Sequence, residues 1–393
     1  MTVLDGVNGT VCNMQQYQQS LLSLTSPSPD PSISCLTHGQ SIGLALTAEA
    51  SLISLVCVVI IFILIVRNII RHRKAFPNGD WKLLRVPPDI YMLSLFIFDV
   101  VHATGGILNI RWAGKGIVTT GQYCLAQGIM KQIGELGTAL ITLILAAHTF
   151  ISALWHVGFE ARRFAFAIVG LTCVFIALWV GIPNGAHKNY EAPSPYWCWI
   201  SPQFNAERLA GEYVWLWVAL FASMTMYIPL YLWAEGRLSI GERWYKFRLS
   251  NPDEKVEYTK RKAALGMLFY PLAYSLVVLP LSAARWSLFK HKDVPSAAMF
   301  FGLTMFNLSG AINVLLFLVI RPQLLLFAPL EPSVEPEAQP YHLDMGAVMS
   351  FETAKHENDL EPAGIEAADD LGKRLWNFAF QGSRNSASPS DEI

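Results

Sequence analysis

Seven stretches of this chain are each apolar enough, over roughly 20 residues, to cross the hydrocarbon core of a bilayer. They run over about 42–66, 88–108, 122–152, 164–183, 213–233, 263–284 and 297–320. Inside lipid a backbone amide finds no water, so each stretch is expected to satisfy its own hydrogen bonds as a helix. The predicted fold class is an all-α membrane protein, a seven-transmembrane helix bundle. Composition agrees, with 53% hydrophobic and only 15% charged residues. This divides the chain into a polar N-terminal tail (1–41), the bundle (42–322) and a C-terminal segment (323–393). That last segment carries Pro, Ser and acidic residues without a long apolar run, and is expected to be mostly disordered. Pro229, Pro271 and Pro280 fall inside spans, where they are expected to kink helices.

Basic residues set the orientation. Arg67, Arg71, Arg73, Lys74, Lys82 and Arg85 follow the first span, Arg162 and Arg163 precede the fourth, and a basic loop runs from Arg237 to Lys262. The opposite loops hold fewer: Arg111, Lys115, Lys188, Arg208, Lys290 and Lys292. The richer side is expected to face the cytoplasm, which puts the N-terminus outside and the C-terminus inside. The tail before the first span has no Lys or Arg to oppose translocation. It carries a glycosylation sequon at Asn8, consistent with an outside location. Cys124, at the outer mouth of the third span, and Cys198, in the loop after the fourth, both fall in the oxidising compartment. They are expected to form a disulfide, and Cys12 and Cys35 can pair in the tail. Cys57 and Cys173 read as small buried hydrophobes.

No motif marks an enzyme: there is no phosphate loop, HExxH or GxSxG, and no catalytic, metal-binding or cofactor-binding set stands out. His148 and His156 read as interfacial or packed histidines. The third span is more informative. Gln127, Lys131, Glu135, Thr138, Thr142 and Thr149 recur on one helical face. Lys131 and Glu135 are i,i+4 neighbours that can pair. Ionisable groups inside a span are costly and face the bundle interior, a partner or a water cavity. Two readings stand open for them. One is a polar cavity opening outward, lined by Gln127, Lys131 and Glu135, with Asn109, Arg111, Trp112, Arg285 and Trp286 at its rim. The other is a buried polar network that fixes helix packing. Asp99, His102 and the threonines favour packing.

Three stretches carry a family resemblance: Cys124-Leu125-Ala126-Gln127-Gly128 followed by Ala146-Ala147-His148-Thr149-Phe150, then Tyr196-Trp197-Cys198-Trp199-Ile200, then Tyr270-Pro271 through Pro280 to Arg285-Trp286. Asn109-Ile110-Arg111-Trp112 also fits. Over about 42–322 the chain resembles G-protein-coupled receptors, and within them the fungal glucose-receptor and cyclic-AMP-receptor-like type. The resemblance implies a multi-pass plasma-membrane receptor for an extracellular small-molecule ligand. It implies signalling through a heterotrimeric G protein to cyclic AMP, with no cofactor and no nucleic acid. G-protein contact is then expected in the basic loop, at Arg243, Lys246, Arg248, Lys260 and Arg261. No Asp-Arg-Tyr follows the third span and no Asn-Pro-x-x-Tyr ends the seventh, so the commonest receptor switch is not implied. A small seven-helix transporter is the alternative, and no internal repeat supports it.

Overall fold

The computed structural model describes residues 9–10, 12–25, 32–75, 87–155, 162–234, 238–240, 247–249, 273–288 and 294–320. The elements are predominantly helical. A short helix α1 (Met14–Thr25) precedes α2 (His38–Ala75), α3 (Pro87–Ile107), α4 (Asn109–Lys115), α5 (Gln122–Trp155) and α6 (Arg162–Ala186). There follow α7 (Asn205–Arg208), a π-helical turn (Leu209–Tyr213), α8 (Val214–Ala234), α9 (273–288), α10 (Ser296–Asn307) and α11 (Ser309–Ile320). Among the described residues six helical segments are long and apolar enough to cross a membrane: His38–Arg71, Pro87–Lys115, Gln122–Ile151, Arg162–Ala186, Asn205–Pro229 and Ser296–Leu318. The expected sixth span begins outside the described residues. Its remainder, α9, buries Val277, Val278, Leu281 and Ala284 in the bundle.

The faces follow from what each helix can bury. In α6 the buried positions Ala165, Thr172, Ile176 and Val180 form a single stripe at helical spacing. Leu171, Val174, Leu178 and Ile182 stand exposed on the remainder. An apolar face of that size is stable against lipid tails, not water. Cys173 lies on this exposed surface and Cys57 is half-buried. The expectation that both are buried is therefore corrected, because an apolar residue in such a helix can face lipid as readily as the core.

The centre of the bundle is α3 against α5. Gly134 of α5 lies so close to α3 that a Cβ there would stand 2.5 Å from Cα of His102. A side chain at Gly137 would meet the Phe98 ring. Small residues permit the approach that dispersion forces reward in lipid. Two spans are interrupted without proline. The second breaks at Leu108, whose carbonyl accepts from the Tyr123 hydroxyl at 2.9 Å. The last breaks at Leu308, between α10 and α11. There Ser54 of α2 stands in the helical ladder, donating to the Asn307 carbonyl (2.7 Å) and accepting from the Ala311 amide (3.2 Å). These are the two groups that an unbroken helix would join directly. A side chain inserted into the ladder is a recognised cause of a helix break.

The described residues also form three two-stranded antiparallel ribbons. β1 (Ile33–Cys35) pairs with β2 (Ile117–Thr119), β3 (Glu191–Pro193) with β4 (Cys198–Ile200), and β5 (Leu238–Ile240) with β6 (Phe247–Leu249). Both expected disulfides are present, Cys12–Cys35 and Cys124–Cys198. The second fastens the β3–β4 hairpin to the first turn of α5, and Ala192, Trp197, Trp199 and Ile200 of the hairpin region are buried. Within the basic loop β5 and β6 form a ribbon, with Arg248 opposite Ser239. Asn8, His156, Arg243, Lys246, Lys260, Arg261 and the tail 323–393 lie outside the described residues.

Candidate functional site

The residues singled out on α5 separate into two groups, one above the other. Nearest the hairpin, Gln127 is fully buried. Its Oε1 accepts from Trp112 Nε1 (2.7 Å) and from the Cys198 amide (3.2 Å). Its Nε2 donates to Asn109 Oδ1 (2.7 Å) and to the Gly105 carbonyl (3.3 Å). A primary amide offers two donors and two acceptor sites, so Gln127 has nothing left for a ligand. Asn109 in turn donates to Thr47 Oγ1 at 3.1 Å and is also wholly buried. Gln127, Asn109 and Trp112 are thus pins that hold α2, α4, α5 and the hairpin together. The expected rim is corrected accordingly. Only Arg111 and Trp286 of that set are exposed, Arg111 lying 4.3 Å over the Tyr123 ring.

One turn deeper is the charged group. Lys131 Nζ lies 3.3 Å from Glu135 Oε1, and His102 Nε2 lies 3.5 Å from the same oxygen. All three are nearly devoid of exposure. The i,i+4 spacing on α5 places the lysine and carboxylate side by side, and the glycine contact at Gly134 brings His102 within reach. Glu212, missed by sequence reasoning, faces the Glu135 carboxyl from the π-helical turn. It also accepts from Trp199 Nε1. Arg285, at the hairpin end of α9, is buried over the faces of Trp199 (4.1 Å) and Trp197 (4.8 Å). Arg208 covers Trp199 at 4.6 Å. Lys131 and Arg285 therefore both approach the Trp197 ring, and Glu135 joins them through its ion pair with Lys131.

Among the described residues Gln127, Lys131 and Glu135 are buried and do not line the expected outward opening, while Arg111 and Trp112 line a separate open pocket with Thr120 and Tyr123. The hairpin covers the charged group, and below it lies a small pocket of about 20 Å³, room for a single water. His102, Glu135, Thr138, Tyr274 and Asn313 are among its walls. At its far side Asp99 accepts from Asn313 (2.9 Å) and Thr138 (3.4 Å), in keeping with its expected packing role.

A second buried carboxyl holds the hairpin itself. Glu191 Oε1 accepts from Gln132 of α5 and from Asn184 of α6 (3.4 Å). Its Oε2 rests on Gly128 without a partner. Burial pushes this carboxyl from its ordinary 4.5 up to about 8, although the Asn184 and Gln132 hydrogen bonds pull it the other way. The folded state therefore holds a proton that the unfolded state gives up. Stability from this group is full below about pH 4.5 and is lost as pH rises through about 8. Glu191→Gln mimics the neutral carboxyl. Its melting temperature is expected to match the parent near pH 5 and exceed it above pH 8.5; equal pH profiles for both proteins would contradict this.

No protein-family model matches the sequence, and no curated protein matches it significantly.

Proposed function

We propose that this chain is a G-protein-coupled receptor of the plasma membrane. In this reading it has seven spans, an outside N-terminus and a cytoplasmic basic loop. It senses an extracellular small molecule, of the nutrient or nucleotide class, and raises cyclic AMP through a heterotrimeric G protein. The observation that carries the reading is the placement of the charged group. Lys131, Glu135 and Arg285 lie inside an apolar bundle, directly under a disulfide-tethered hairpin. Charges at that depth are costly and are kept where a site needs them. A ligand that shifts the hairpin tryptophans acts at once on α5, α9 and the π-helical turn that leads into α8, the elements that hold the group. The breaks at Leu108 and Leu308 offer places for such a shift to be absorbed. β5 and β6 follow α8 directly, which puts the loop within reach of its movement.

The test is a luminescent cyclic-AMP reporter with co-expressed Gα and a panel of sugars, amino acids and nucleotides. A rise is expected, and deletion of 241–255 is expected to abolish it at unchanged surface level. A full response without that loop removes the G-protein reading. Solute uptake with no cyclic-AMP response favours a transporter.

A further inference from the structure

The geometry points to an anion as the occupant of the charged group, a carboxylate or phosphate held against Trp197 by Arg285 and Lys131. This deepens the receptor reading by naming the charge class of molecule taken by the same site. Two observations carry it. The first is charge. Lys131 and Arg285 bring two buried positive charges beside Trp197, and of the two only Lys131 has a carboxylate, Glu135, at ion-pair distance. Arg285 is 5% exposed, and no carboxylate lies within 4 Å of it among the described residues. An uncompensated buried charge is among the most costly features a fold can hold.

The second observation is the hydrogen-bond inventory. Trp197 Nε1, Arg285 Nε and Lys131 Nζ are all buried, and all lack a hydrogen-bond acceptor. Lys131 has an ion pair with Glu135 but no aligned hydrogen bond. The three belong to one neighbourhood. The Trp197 ring has the Arg285 guanidinium 4.8 Å away on one contact and the Lys131 ammonium 6.0 Å away on another. None of these groups can accept, so they cannot satisfy one another. A neutral sugar or amide would bring as many donors as acceptors. An oxyanion brings acceptors alone and a compensating charge, and it gains the stronger, charge-assisted bonds. The tryptophan face adds a cation–π contact to the same two cations.

The experiment uses the full chain in nanodiscs of zwitterionic lipid. Thermal unfolding is followed while phosphate, sulfate or succinate is titrated into the millimolar range at constant ionic strength. A saturable rise in the unfolding midpoint is expected with at least one of them. Arg285→Gln is expected to weaken the apparent affinity about ten-fold or more. Arg285→Lys, which keeps the charge and protects against a folding failure, is expected to fall between. Lys188→Gln, an exposed loop cation, is expected to behave as the parent. A second arm replaces part of the lipid by an anionic one without added anion. If the source is a headgroup, the midpoint rises there, and Arg285→Gln removes the rise. No saturable rise in either arm, or a rise that Arg285→Gln leaves intact, overturns the proposal. Binding is read without a G protein, so anion binding with no cyclic-AMP response would sink the receptor reading alone.

Discussion

Glu135→Gln is expected to destabilise the folded chain by about 3–5 kcal/mol, the cost of leaving one member of a buried ion pair without its partner. The side chain is nearly isosteric, so the loss is one of charge. Lys131 would lie fully buried with its nearest counter-ion removed. Lys131→Met is expected to cost less. His102 remains 3.5 Å from the stranded carboxylate as a second donor. The double variant Lys131→Met/Glu135→Gln is expected to recover most of the loss, since a neutral pair of similar volume avoids desolvating two charges. Unfolding midpoints of the four proteins in detergent form a double-mutant cycle. A coupling of about 2 kcal/mol or more is expected. Additive losses would mean that Lys131 and Glu135 act independently, and that Glu212 or His102 holds the charge balance.

The neighbour of this pair, Glu212, is a residue that sequence reasoning could not place. Glu212 precedes Tyr213, where the apolar run begins, and so reads as a loop residue outside the fifth span. In the structure that span starts earlier, at Asn205, and the π-helical turn carries Glu212 into the bundle. A lone acid next to an apolar run was the available signal, but only the tertiary contact with Glu135 and Trp199 gives it meaning. The Lys131–Glu135 pair was legible because both partners lie on one helix four residues apart. Six of the seven expected spans were legible for the same reason, since hydropathy is a local property. Gln127 shows the opposite case. Its polarity inside a span marked it as a ligand contact, yet its partners come from Gly105, Asn109, Trp112 and Cys198. Such pairings are set by packing, not by spacing. The break at Leu308 was illegible too, because its cause, Ser54, lies on a different helix.

Gly134→Ala tests the packing on which all of this rests. Alanine is the better helix former by about 1 kcal/mol at an unconstrained position. At Gly134 the added Cβ would stand 2.5 Å from both Cα and Cβ of His102 and 2.6 Å from its amide nitrogen. Two of these are backbone atoms, which no rotamer change can move aside. The helices α3 and α5 must separate by about an ångström to restore van der Waals contact. Overpacking of this kind costs about 1–3 kcal/mol, and the close approach of the two backbones places Gly134 at the upper end. Separation also draws His102 away from Glu135, so the charged group loses a contact together with the packing. At Gly181, on the exposed face of α6, an added methyl group would have nothing within 4 Å of it. Gly181→Ala is therefore expected to raise the unfolding midpoint slightly while Gly134→Ala lowers it by several degrees. Opposite signs from the same substitution would tie the loss to the close approach of α3 and α5. A tolerated Gly134→Ala would show that the two helices yield, and that the charged group does not depend on their distance.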